Sequence, residues 1–154
     1  MSGTPYDEGA VVDSPTEWVR QNIDAYVATD GAEGHSMREG VQVLLLSTLG
    51  RKSGLWRRTA LIYGRAGDAY VLVASQGGAP RHPAWYGNLV AEPTAHVQVM
   101  GEKFEARARV AAGDERERLW GVMAAIWPDY DAYQTKTERE IPIVVLDPVS
   151  SGGE

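Results

Sequence analysis

From Val41 to Leu146 the chain alternates short apolar runs with glycine-bearing turns, the texture of a β-rich domain. Val41 to Leu49, Trp56 to Arg65, Ala69 to Ser75 and Thr94 to Met100 each have strand length and carry β-branched or aromatic residues. Lys103 to Val110 alternates strictly, with Phe104, Ala106, Ala108 and Val110 on one face and Lys103, Glu105, Arg107 and Arg109 on the other. That pattern predicts a strand buried on one side, its charged residues forming a solvated face. Ile141 to Leu146 is a last buried strand. The first three runs are joined only by Gly50-Arg51-Lys52-Ser53-Gly54 and Ala66-Gly67-Asp68, so they predict an antiparallel meander.

Helices are predicted between and around these runs. Ser14-Pro15-Thr16-Glu17 has the spacing of a capping box, with a helix running to Thr29 and stopping at Gly31. Trp18, Ile23, Tyr26 and Val27 give it an apolar face. Residues 30–40 read as loop, with His35 solvated. Gln76 to His82 is a second loop, after which Pro83 opens a short helix through Leu89. A third helix starts at Gly113 with acid in its first turn and places Leu119, Val122, Met123 and Ile126 at core spacing. Pro128 ends it, and a segment from Asp129 to Thr137 puts Tyr130 and Tyr133 on one side of a helical turn. The expected fold is therefore mainly β with helices (α+β): a small barrel of about six antiparallel strands in a single domain over residues 14–148. Residues 1–13 are expected to be a flexible N-terminus and 149–154 a disordered tail.

Charge narrows the function. The chain of 154 residues carries a net charge of −6, yet no acid occurs between Glu39 and Asp68, while Arg51, Lys52, Arg57, Arg58 and Arg65 lie inside that window. Positive charge this local suits a small anionic ligand; a nucleic-acid coat would need a broad basic face. The absence of cysteine excludes thiolate chemistry, and the three histidines show no metal-ligand spacing, so no metal is expected. Ser75 and His82 lack the surroundings of a nucleophile elbow, which disfavours hydrolysis. No run approaches the roughly 20 apolar residues of a membrane span, and no secretion signal is evident, so a cytoplasmic protein is expected, with peripheral membrane contact as the one alternative. Aromatic residues Trp56, Tyr63, Trp85, Tyr86, Trp127, Tyr130 and Tyr133 beside those cations suit a flat conjugated ligand with an anionic tail.

Four separated segments carry a family resemblance: LLLSTLGRKSG (44–54), Arg57, VLVASQGGAPRHPAWYGNL (71–89) and WPDYDAYQTKTEREIPIVVL (127–146). Together they resemble the deazaflavin-dependent nitroreductase family, actinobacterial oxidoreductases that use coenzyme F420. The resemblance implies a split β-barrel of the FMN-binding, flavin-reductase-like type. It implies that Arg51, Lys52, Ser53, Arg57 and Arg58 receive the phosphate and oligoglutamate tail. Ala74, Ser75, Gln76, Trp85, Tyr86 and Asn88 would border the deazaflavin, and Ser75, Tyr130 and Tyr133 would be the catalytic candidates on the substrate side. The implied reaction is hydride transfer from reduced F420 to a small electron-poor acceptor: a quinone, an enone or α,β-unsaturated lactone, or a nitroaromatic. Ile62, Gln76 and Trp127 depart from the residues usual in the family at those places, which bears on the acceptor. FMN in place of F420, and a non-catalytic cofactor-binding module, are the alternative readings; the oligomeric state is not set by the sequence.

Overall fold

In the computed structural model, which describes residues 5–149, six antiparallel strands close on themselves. They are β3 (Val41–Leu49), β4 (Trp56–Ala66), β5 (Ala69–Val73), β6 (Thr94–Val99), β7 (Glu102–Val110) and β8 (Ile143–Pro148), counted after two short strands, β1 (Val12–Asp13) and β2 (Ser36–Arg38). The ring runs β3-β4-β5-β8-β7-β6 and returns to β3, with Leu45 opposite Ala60 on one side and Gln98 on the other. Among the described residues four α-helices decorate it: α1 (Glu17–Thr29), α2 (Ala84–Ala91), α3 (Gly113–Ile126) and α4 (Asp129–Thr135).

Alternation along the strands divides the apolar residues into three clusters. Leu44, Leu46, Tyr63, Leu72, Val97 and Leu146 fill the barrel. Val43 and Leu45, on the other face of β3, are buried under Val19, Ile23 and Tyr26 of α1. Val71, Val73 and Val145 are covered by Leu119 and Met123 of α3 and by Tyr130 of α4. Helices thus cover the outer faces of β3, β5 and β8, which explains why those strands read as unbroken apolar runs. The Tyr26 hydroxyl fastens α1 by donating to the Val43 carbonyl at 3.0 Å and accepting the Met100 N–H at 2.7 Å. Its burial pushes the phenol up to about 12.

The barrel is split along β4. Arg57 and Arg58 pair with β1 on one edge, and Gly64 to Ala66 pair with β5 on that same side of the strand. Between them, Thr59 to Tyr63 pair as strand only with β3 among the described residues, leaving an opening in the wall.

Several local expectations change. Residues 5–13 are a strap along the barrel, where a flexible segment was expected: Asp13 binds Arg58 at 2.6 Å, Tyr6 stacks on His96 with ring centroids 3.9 Å apart, and Glu8 pairs with Lys103 at 3.0 Å. Because Ser14 N–H is also bonded to the Arg58 carbonyl, the backbone stays extended and α1 starts only at Glu17. Ser14 Oγ accepts the Thr16 N–H, so the predicted capping box is absent. The 30–40 loop contains β2, and His35 is buried with Nε2 2.9 Å from the Tyr63 hydroxyl, not solvated. Arg109 on β7 is half-exposed, but it is bound to Glu115 and Asp147. Residues 1–4 and 150–154 lie outside the described residues. Among the described residues, no helix is long and apolar enough to cross a membrane.

Candidate functional site

The opening in β4 forms the floor of a cavity of about 720 Å³. Thr59, Ala60, Leu61 and Ile62 supply that floor, and Val73 continues it on β5. Ser75, Gln76 and Gly77 form one wall, and Pro83 with Trp85 at the start of α2 extends it. Trp127, Tyr130 and Tyr133 form another. Trp18 of α1 and Met37 of β2 stand at the rim, 71% and 53% exposed.

Five residues expected from sequence therefore meet in one space: Ser75, Gln76, Trp85, Tyr130 and Tyr133. Tyr130 and Tyr133 lie edge to face at 6.1 Å because the three-residue spacing of α4 puts them on one side. Tyr130 is only 5% exposed, while Tyr133 is part-buried. Burial, and then the neighbouring Tyr133, raises the Tyr130 phenol well above the usual tyrosine value. The Tyr133 hydroxyl accepts a long bond, 3.4 Å, from Trp127 Nε1. Ser75 is also buried, and no hydrogen bond from its side chain caps the following turn.

The remaining expected residues sit elsewhere, in different circumstances. Arg51, although exposed, is clamped onto α2: its backbone N–H and Nη1 both donate to Asn88 Oδ1, at 3.1 and 2.9 Å, and Nη1 also donates to the Ala84 carbonyl. Its guanidinium lies so close over Gly87 that a β-carbon there would fall 2.6 Å from Nη1. Asn88 is consumed by this contact and by donating to Thr48 Oγ1 at 3.1 Å. The basic turn is thereby docked onto α2, the helix that presents Trp85 to the cavity. Lys52, Ser53 and Arg57 are exposed on that turn and the strand beyond it, with Ser53 Oγ accepting the Leu55 N–H. Tyr86 packs beside His82, ring centroids 4.7 Å apart, and does not line the cavity. Ala74 is fully buried, its N–H donating to the Pro142 carbonyl at 3.0 Å and its carbonyl accepting from Arg139. Arg58 does not join the site: its guanidinium is committed to Asp13 and borders a separate small pocket with Tyr6 and His96.

One residue that sequence reasoning missed organises the Ser75 wall. Arg139, in the segment between α4 and β8, donates to the carbonyls of Ala74, Ser75 and Ala79 and to His82 Nδ1. In the sequence it is one basic residue among charged neighbours, and nothing there marks it.

The shape fits a tricyclic deazaflavin. The volume is in the range of small-molecule sites, and the lining is mostly aromatic and apolar with a few polar side chains, Asn22, Ser36, Thr59, Ser75, Gln76 and the two phenols among them. Lys52 and Arg57 are exposed and do not line the cavity.

Comparison with known proteins decides the family. A family model described as F420H(2)-dependent quinone reductase matches residues 18–148. The F420H(2)-dependent quinone reductase Rv1261c of Mycobacterium tuberculosis is 40% identical over 124 residues, which cover 79% of this chain and 83% of that protein. The chain belongs to the F420H(2)-dependent quinone reductase family. Among solved structures, an F420-H2 dependent reductase (FDR-A) is 40% identical with a TM-score of 0.64, over 68% of this chain and 93% of that one. A domain-swapped dimer is 37% identical with a TM-score of 0.67, over 87% and 100%. As a member of the F420H(2)-dependent quinone reductase family the protein is an F420-dependent oxidoreductase with a six-stranded barrel. Nothing in these matches supports the FMN alternative.

Proposed function

We propose that the cavity over β4 is where this reductase brings reduced F420 together with a quinone-like acceptor, and that Tyr133 supplies the proton. The observation that carries this reading is the convergence of two phenols, a buried serine and a tryptophan wall in one largely apolar space. When bound, reduced F420 supplies a hydride, both electrons moving together, because its reactive position is carbon.

Lys52 and Arg57, with Ser53, meet the phosphate and carboxylates of the tail by charge-assisted bonds. Trp85 packs on the ring face, and Ser75 and Gln76 face its polar edge. Arg51 and Asn88 act only through α2, and Arg58 is not part of the site. A quinone that gains a hydride needs one proton to become the hydroquinone. Tyr133 is placed to give it, since Trp127 Nε1 donates to the same oxygen and steadies the charge left behind. Tyr130 holds its proton more tightly because it is buried, so it serves as a neutral hydrogen-bond donor to the acceptor's carbonyl. The exposed Trp18 and Met37 at the rim favour an acceptor with an apolar body.

The test is an anaerobic assay following the return of oxidised-coenzyme absorbance with quinones, enones and nitroaromatics in turn. Quinones are expected to turn over fastest. Tight coenzyme binding with no turnover of any acceptor would end the catalytic reading.

A further inference from the structure

We propose that Arg139 is the positioning residue of the cofactor cavity: its guanidinium holds residues 74–82 in the one shape that receives the ring. The inference rests on the F420 reading of the cavity and adds to it the cause of its shape.

The guanidinium uses its whole fork. Nε donates to the Ala79 carbonyl at 2.9 Å, Nη2 to the Ser75 carbonyl at 2.7 Å, and Nη1 to the Ala74 carbonyl at 3.2 Å and to His82 Nδ1 at 2.9 Å. Carbonyls from both ends of the curl point at one cation. The curl itself is made by three successive residues with positive φ: Gln76 at 47°, Gly77 at 64° and Gly78 at 84°. Gln76 in that region is disfavoured for a side-chain-bearing residue, so the shape needs support from outside. Within the loop there are only the Gly78 to Ser75 and Ala79 to Gln76 backbone bonds. Arg139 is itself anchored to α4, because Gln134 Nε2 donates to the Arg139 carbonyl at 2.8 Å and Gln134 Oε1 accepts the Ile141 N–H at 2.9 Å. The fork therefore ties the Ser75 wall to the helix carrying Tyr130 and Tyr133. Lysine cannot substitute, since three donors on one nitrogen do not span acceptors arranged around a planar fork.

Without the fork the loop samples several shapes, and the coenzyme's apparent affinity falls by the fraction that remains competent. Saturating coenzyme restores the shape, so turnover recovers. A change that merely unfolded part of the protein would do the opposite, lowering kcat at constant KM.

The experiment compares wild type with Arg139→Lys and Arg139→Gln. The readouts are the dissociation constant for oxidised F420, kcat and coenzyme KM, amide exchange over residues 74–82 without coenzyme, and the His82 titration by NMR. Both variants are expected to bind about tenfold more weakly, with KM raised alike, kcat at saturation within about twofold and loop exchange faster. In Arg139→Gln the His82 imidazole, tilted against the Tyr86 ring and facing the Arg139 cation, is expected to titrate higher once that cation is gone. If Arg139→Gln does not fold, Arg139→Lys carries the test. Wild-type affinity with unchanged loop exchange, or reduced kcat at unchanged KM, overturns the proposal. A wild-type protein that does not bind F420 overturns the cofactor reading instead, while loop exchange and the His82 titration still decide whether Arg139 shapes the loop.

Discussion

The α-carbon of Gly78 rests against the backbone of Tyr133, so closely that a β-carbon on Gly78 would lie 2.7 Å from the Tyr133 carbonyl oxygen. The two cavity walls are in van der Waals contact at this point. At φ +84° Gly78 also occupies the left-handed region, so a side chain there meets both strain and collision. Gly78→Ala is expected to cost about 1–3 kcal/mol of stability. It should also move α4 and lower kcat. Urea denaturation with turnover at saturating coenzyme checks both, and an unchanged midpoint would contradict the packing described.

The two phenols are expected to differ. Tyr133→Phe removes the proposed proton donor and should lower kcat about a hundredfold, the lower end of general-acid contributions. Tyr130→Phe should mainly raise the acceptor's KM. Steady-state kinetics of the two variants separates the roles, and equal effects on kcat would remove the assignment.

The exposed cations should act on affinity alone. Lys52→Ala and Arg57→Ala are each expected to weaken coenzyme binding about fivefold, as exposed ion pairs do, with the loss shrinking at high salt. Arg51→Ala should instead lower the melting temperature, because it removes the guanidinium bonds to the buried Asn88 Oδ1 and to the Ala84 carbonyl that hold the turn on α2. Titration at two salt concentrations beside a thermal melt distinguishes these outcomes.

Acid should destabilise the fold before the carboxylates titrate. Burial lowers the imidazoles of His35 and His96, and burial together with Arg139 lowers that of His82, all from an ordinary 6.5. The unfolded chain therefore binds more protons than the folded one just below 6.5. The histidine contribution is complete above that pH and is lost as pH falls through the lower folded values. His35→Gln should flatten the decline in urea midpoint between pH 7 and pH 5, and a parallel decline would refute the role of His35.

The sequence by itself determined the six barrel strands and the existence of each helix, because strand alternation and helical spacing are local properties of the chain. The six barrel strands fall within a few residues of the apolar runs, and α3 and α4 follow Gly113 and Pro128 as read. It also placed Ser75, Gln76, Trp85, Tyr130 and Tyr133 together through the family resemblance. Tertiary structure alone decided which cations are free. Arg51, Lys52, Arg57 and Arg58 are alike on paper, yet Asn88 captures the first and Asp13 the last, partners 37 and 45 residues away. His35 looked solvated because its neighbours are polar, and it is buried because Tyr63 comes to it across the barrel. Arg139 had no local signal, since its partners lie 57 to 65 residues back along the chain. Charge, burial and hydrogen bonding are set by what folding brings near, and sequence spacing does not record that.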